Sequence, residues 1–284
     1  MPNSFDASLV NQVLAQKAVT YVQNKLAFLG AFTTDFSDEV RDIRSLTINV
    51  PVLSGTSAVQ VNPTDFESGD TNAFNAPVTM QHISKSFYLT PNDIASGSRL
   101  ENLGAINMQA VTNKIESIVF TLITEANYGT PAVSGITAGA LSVANLKTLW
   151  GATPGDNKIC ILKDNEYANI LPSDTNGFDV TRTNQGYGFD YLGRSGNGFA
   201  SAGTKIVGFG ATRGAIAMAG AIPQYHSAVA DLMDTTVVEV PELGLSIQSN
   251  VWGSTKTRQV WGSYDLLFGA SAADKSALKL VKLA

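Results

Sequence analysis

Cysteine is almost absent. The one thiol, Cys160, lies in the apolar run Ile159-Cys160-Ile161-Leu162, so a disulfide within the chain is excluded and a buried, inert thiol is expected. Histidine is scarce too: His82 and His226 stand far apart with no cysteine or carboxylate at ligand spacing, which argues against a zinc site. Charged residues fill 15% of the 284 positions, and no run of five or more basic residues occurs. With a net charge of −5, the chain as a whole does not attract nucleic-acid phosphates or an anionic membrane. The leading MPNSFDASLV has neither a charged n-region nor a long apolar run, so no secretory signal is expected and the cytoplasm is the default compartment.

Catalytic motifs are missing as well. Gly193-Arg194-Ser195-Gly196 lacks the last glycine of a nucleophile elbow, and Ser276-Ala277-Leu278-Lys279 matches Ser-x-x-Lys spacing only on a C-terminal strand. The run Gly208-Phe209-Gly210-Ala211-Thr212-Arg213-Gly214 has the look of a dinucleotide loop, but such a loop opens a full helix. Here Ala215–Gly220 is short and Pro223 follows, so a turn between strands is expected. Carboxylate pairs such as Asp38/Glu39 read as solvated surface. No catalytic, metal or cofactor-binding residue is assigned, and no cofactor is expected.

What is present is pattern. In the stretch 103–127, Met108, Val111, Ile115, Ile118, Val119, Leu122 and Ala126 recur at helical spacing on one face. Asn113, Glu116, Ser117, Thr121 and Thr124 fill the other face, and Gly129 with Pro131 ends the helix. At 1.5 Å per residue this is a rod of roughly 35 Å. It is too polar for a membrane span.

Ahead of it, Val10, Leu14, Ala18 and Tyr21, with Val13 and Val22 beside them, mark an amphipathic helix closed by Gly30. Its stripe must cover either its own domain or a neighbouring subunit. Residues 45–53 alternate, with Leu46, Ile48, Val50 and Val52 on one face and Pro51 marking an edge. Residues 82–89 predict a second strand of a two-stranded arm, with Ile83, Phe87 and Leu89 on one face. The tip between them, 54–81, carries only acidic charges, Asp65, Glu67 and Asp70. This arm either packs on its own sheet or lies on another subunit.

Residues 90–102 read as a turn into the long helix. A short helix at 141–150, a buried strand at 158–162 and a helix at 165–171 capped by Asp164 follow. Next comes a Gly-, Asn- and aromatic-rich region, 172–204, whose Phe178, Tyr187, Phe189, Tyr191 and Phe199 are too many for a free linker. Strands are expected at 205–209, 214–219, 236–240, 244–252, 257–268 and 278–283. The class is α+β.

The order of these parts resembles the major capsid protein of tailed double-stranded DNA bacteriophages, with its HK-ninety-seven-type fold. The phrases LTINVPVL and SKSFYLTPNDIAS resemble the strands of that family's E-loop and the lead-in to its spine helix. KICILKDNEYANIL and TKIVGFGATRGAIAMAGAIPQ are similar to parts of its A-domain. DTTVVEVPELGLSIQSNVWG and TRQVWGSYDLLFGAS are similar to the returning strands of its P-domain. The resemblance covers nearly the whole chain.

It implies an N-terminal arm over 1–43, an E-loop over 44–90, a P-domain over 91–135 and 232–272 with the spine helix 103–127, and an A-domain over 136–231 and 273–284. It further implies a non-enzymatic subunit that assembles into pentamers and hexamers of an icosahedral head enclosing double-stranded DNA. Assembly in the host cytoplasm, a virion location, and portal and scaffolding partners go with it; no membrane does. Few residues precede the E-loop, so a separate scaffolding protein or a processed chain is expected. The glycine-rich loop, roughly 174–204, would face the centre of each pentamer or hexamer. Asp65, Glu67 and Asp70 are the candidates for contact with Arg41, Arg44 or Arg99 of a neighbour. An encapsulin-like compartment is the alternative within the fold, and a small-molecule enzyme using the 208–214 loop is the alternative outside it.

Some relatives crosslink their subunits through a lysine of the E-loop tip, but this chain has no Lys between Ser45 and Ser84. Assembled particles boiled in detergent are therefore expected to run as intact monomers on a denaturing gel. A ladder of covalent multimers would contradict this.

Overall fold

A computed structural model describes residues 6–35, 47–53, 73–171, 187–223, 232–254 and 259–284. The chain begins with helix α1 (Ala7–Lys25), a 3-10 turn at Ala27–Ala31 and strand β1 (Thr33–Asp35). Strands β2 (Thr47–Leu53), β3 (Ala73–Thr79) and β4 (Gln81–Leu89) precede helices α2 (Pro91–Ala95), α3 (Gly97–Thr121) and α4 (Glu125–Tyr128). Then come β5 (Val133–Ile136), α5 (Val143–Ala152), β6 (Ile159–Leu162), α6 (Asp164–Ile170) and β7 (Tyr191–Arg194). The chain returns through β8 (Ile206–Ala211), β9 (Ile216–Ala221), β10 (Leu232–Val240), β11 (Leu245–Ser254), β12 (Gln259–Ala272) and β13 (Leu278–Leu283).

The strands form three sheets. The six-stranded sheet runs β1-β9-β12-β11-β10, with β4 also paired to β12. The five-stranded sheet runs β5-β13-β8-β6-β7, and β2-β3 is a two-stranded piece. Strand β12 holds the large sheet together: it is antiparallel to β11 and β4 through its first part and to β9 through Leu267–Ala272.

Helices α1 and α3 cover one face of that sheet. Leu14, Ala18 and Val22 of α1 join Met108, Val111, Ile115 and Val119 of α3 in one core with Ile247, Val251, Tyr264, Leu266 and Phe268. The N-terminal stripe thus covers its own chain. At the crossing, a methyl group on Gly104 would lie 2.9 Å from the Tyr264 hydroxyl and 3.1 Å from Leu14 Cδ2. The missing side chain lets α3 sit low enough for the Tyr264 hydroxyl to donate to the Leu14 carbonyl at 3.1 Å.

The long helix differs in its bounds from the predicted 103–127. It starts at Gly97 and stops at Thr121, and α4 follows after a break. Within the stretch 90–102, read as a turn, Pro91 and Gly97 stand at the first positions of α2 and α3, where a proline's missing N–H costs nothing. The break at 122–124 is stabilised locally: Thr124 accepts from the Asn127 N–H, and the Asn127 side chain donates to the Leu122 carbonyl at 2.7 Å. Glu116, expected on the outer face, is buried, as are Phe120, Ile123 and Tyr128, while Ala126 is exposed. Asp164 is the first residue of α6 rather than its cap.

The two-stranded arm is also paired differently. β2 pairs with β3, inside the stretch read as the tip, while β4 joins the large sheet through β12. The predicted faces hold: Ile48, Val50 and Val52 are buried on β2, and Ile83, Phe87 and Leu89 on β4. Pro77 lies in β3, a two-stranded piece whose outer edge asks for no ladder N–H. The β2–β3 piece packs Ile48, Val50, Val52, Val78 and Met80 on Ala217, Ala219 and Ala273 of its own chain.

Because Leu14 is fully enclosed between α3 and the sheet, Leu14→Ala is expected to cost about 2–5 kcal/mol. Gly104→Val is expected to cost about 1–3 kcal/mol by overpacking the same crossing. Urea unfolding of the two variants checks both.

Candidate assembly surfaces

Among the described residues no group of three or more His, Cys, Asp or Glu could hold a metal ion. No helix there is long and apolar enough to cross a membrane. Cys160 is buried in β6, and burial pushes its thiol well above the ordinary range, which keeps it protonated and unreactive. In the glycine run, Gly208 and Gly210 sit inside β8, which pairs antiparallel with both β6 and β13. Methyl groups there would come within 2.6 Å of Leu162 Cδ2 and of Thr153 Oγ1 respectively, so the glycines serve close packing of the sheet against its neighbours. The Ser276 hydroxyl donates to Asp274 Oδ1 at 2.7 Å, so it is held in a local turn.

Two buried carboxylates do structural work. Glu166 of α6 accepts from the backbone N–H groups of Gly139 and Leu141, at 2.6 and 3.1 Å, pinning the connection ahead of α5. Glu116 of α3 accepts from the Ser195 hydroxyl at 2.5 Å, and Ser195 Oγ in turn accepts from the Gly198 N–H. The second oxygen of Glu116 is buried without a hydrogen bond. Beside this pair, Phe199 meets Phe120 edge-on at 4.9 Å. The aromatic-rich region is thereby tied to α3 at Ser195 and Phe199, while Tyr187 donates to the Ile170 carbonyl; its earlier part, 172–186, lies outside the described residues.

Of the residues predicted to touch a neighbour, Arg99 is described. It is exposed at the start of α3, with Nε 3.9 Å from Asp93 Oδ1. Hydrogen bonds from the Thr90 side chain and backbone hold the Asp93 carboxyl below its usual range, with Arg99 adding a smaller effect in the same direction. Asp65, Glu67, Asp70, Arg41 and Arg44 lie outside the described residues, as do Asp38, Glu39 and His226.

The surface that sequence reasoning missed is the second face of the large sheet. Side chains alternate across a strand, so Ser263 and Asp265 point away from the α1–α3 layer that receives Tyr264 and Leu266. They line a groove of about 330 Å³ with His82, Ser84 and Ser86 of β4, Asn250 and Trp252 of β11, and Leu232 of β10. Asp265 forms its floor: it accepts from Asn250 Nδ2 at 3.0 Å and from the Ser263 hydroxyl, and His82 Nε2 stands 3.3 Å from its other oxygen. The Trp252 and Trp261 rings stack at 6.4 Å and 14°, and Tyr88 follows at 5.8 Å from Trp261. Leu232, Met233 and Val237 on β10 are exposed, Met233 by 52%. The only sequence signal was the spacing of polar and aromatic residues at every second position of β4 and β12.

Comparison with solved structures gives likeness in fold. The crystal structure of a virus-like particle from Pyrococcus furiosus matches 95% of this chain and 98% of its own, at 11% identity and a TM-score of 0.55. A Mycobacterium phage Bobi structure covers 100% of this chain and 93% of its own, at 13% identity and a TM-score of 0.48. The capsid of Myoviridae phage XM1 covers 90% of each, at 13% identity and 0.48. No protein-family profile and no curated protein sequence matches the chain.

Ser195 is the one hydrogen-bond donor to the buried Glu116 carboxylate among the described residues. Ser195→Ala is therefore expected to lower stability by about 1–3 kcal/mol, and Glu116→Gln in that background to recover part of the loss by removing the buried charge. Thermal melts of the single and double variants measure this.

Proposed function

We propose, from the premise that this chain has the HK-ninety-seven-type capsid fold, that it is a structural subunit of a closed protein shell. The observation that carries this reading is the end-to-end likeness to a particle-forming subunit, with 95% of one chain on 98% of the other. Such an alignment leaves no large insertion to house a separate activity. The exposed Leu232, Met233 and Val237 of β10 suit the same reading, because exposed apolar surface marks interaction sites. We read the chain as a non-enzyme.

In its finer form the shell is an icosahedral phage head, built from pentamers and hexamers in the host cytoplasm around packaged double-stranded DNA. Portal and scaffolding proteins assist, and the chain's final location is the virion. The acidic balance of the chain fits a wall that confines DNA without gripping its phosphates. Within it, the arm (1–43) and the E-loop (44–90) contact neighbouring subunits. The P-domain (91–135 and 232–272) meets its copies, and the A-domain (136–231 and 273–284) lies towards the capsomer centre. The acidic residues Asp65, Glu67 and Asp70 pair with Arg41, Arg44 or Arg99 of a neighbour. One observation favours a second reading: the likeness at a TM-score of 0.55 is to a virus-like particle rather than to a phage head, and an encapsulin-like compartment holding protein cargo is compatible with it.

Electron microscopy and light scattering of the chain expressed alone test the shell. Closed shells or regular tubes are expected, and a uniform monomer that stays unassembled with its co-encoded proteins added would refute it. Absorbance at 260 nm against 280 nm of particles from the native source separates DNA from protein cargo. Changing Asp65, Glu67 and Asp70 together to Lys is expected to reduce shell yield; an unchanged yield would discard the acidic contact.

A further inference from the structure

The groove on the second face of the large sheet holds a buried carboxylate whose ionic partner, among the described residues, is a histidine. Asp265 is 2% exposed. Among the described residues its hydrogen bonds come from Asn250 and Ser263, and its ion pair is with His82, a group that carries charge only when protonated. A buried carboxylate without a full counter-ion is costly, by several kcal/mol on general grounds. Directly across the β11–β12 ladder from Asp265 stands Gln248, on the same face. Its Oε1 is buried and has no hydrogen bond. Two acceptors, one of them anionic, therefore sit side by side within cross-strand reach of each other.

The surroundings narrow the class of group that would satisfy them. A planar cation with several N–H donors matches a carboxylate and an amide oxygen together. The groove's wall is the indole of Trp252, stacked on Trp261, and an indole face attracts a cation. The volume of about 330 Å³ accepts a side chain, but not a folded domain. The rim of exposed Leu232, Met233, Val237 and Tyr88 calls for a protein surface to cover it rather than a free small cation.

We propose that this groove receives an arginine side chain from a second copy of the chain, with Asp265 as counter-ion, Gln248 as second acceptor and Trp252 as the stacking surface. The choice of a second copy rests on the shell reading above; the choice of a guanidinium rests on the groove itself.

The probe is ethylguanidinium, titrated into the unassembled full-length chain and followed by tryptophan fluorescence, with ethylammonium at equal ionic strength as control. Saturable quenching by ethylguanidinium is expected, at least tenfold weaker in Asp265→Asn. The same variant, if its melting temperature matches the parent, is expected to need at least tenfold more protein to begin assembling. If Asp265→Asn does not fold, Gln248→Leu takes its place, with several-fold weaker binding expected.

No saturable response in the parent chain, or an unchanged response in the folded variant, overturns the groove as a cation site. Binding that depends on Asp265, combined with assembly at the parent's concentration, overturns the second copy as its occupant. If the parent chain never assembles while Asp265-dependent binding persists, the shell reading fails and the groove stands as a guanidinium site for another partner.

Discussion

The structure depends on one strand being shared. β12 pairs with β11 and β4 along its first part and with β9 along its last, so β10 and β11, the arm-derived β4, and β9 with β1 are all bonded through it. Its inward side chains, Tyr264, Leu266 and Phe268, are also the ground on which α1 and α3 rest. Each inward residue is therefore constrained twice, by a ladder on either side and by a helix above. The crossing at Gly104, where an added methyl group would lie 2.9 Å from the Tyr264 hydroxyl, is made to this strand. A side chain at Gly104 would have to displace the Tyr264 hydroxyl and the Leu14 side chain.

Local periodicity was legible in the sequence and long-range pairing was not. The alternation of Ile48, Val50 and Val52, and of Ile83, Phe87 and Leu89, gave the right faces because a strand's face is set by its own residues. The partners came out otherwise because register is chosen by distant chain. β4 finds β12 some 180 residues later, at Val260 through Phe268, and β3 was hidden behind a proline that its edge position tolerates. The long helix was placed on the right face but set six residues late. Residues 90–102 were read as a turn, while Pro91 and Gly97 within them open helices, where both are compatible with the first turn.

Glu116 shows the limit of reading polarity as exposure. A glutamate on a helix was assigned to solvent, yet it is buried because Ser195, 79 positions away, supplies a hydroxyl at 2.5 Å. The open-face groove was out of reach for the same reason. Its lining comes from four strands, and none of them alone has a motif. What the sequence did disclose was the order of elements, and order is what a fold keeps when identity has fallen to 11%.

Helix α3 passes from the large sheet to the smaller one without interruption. Near its start it is clamped at Gly104 between Leu14 and Tyr264; near its end Glu116 and Phe120 hold Ser195 and Phe199. Its 25 residues make a rod of about 37 Å at 1.5 Å per residue. A stiff rod fastened at both ends is a lever. If it tilts by about 5° over the large sheet, its far end sweeps about 3 Å, from the length that the helical rise sets. The loop at 195–201 must travel with it. The rod therefore couples two sheets that also share one core, and a contact that leans on it at one end is passed to the loop at the other.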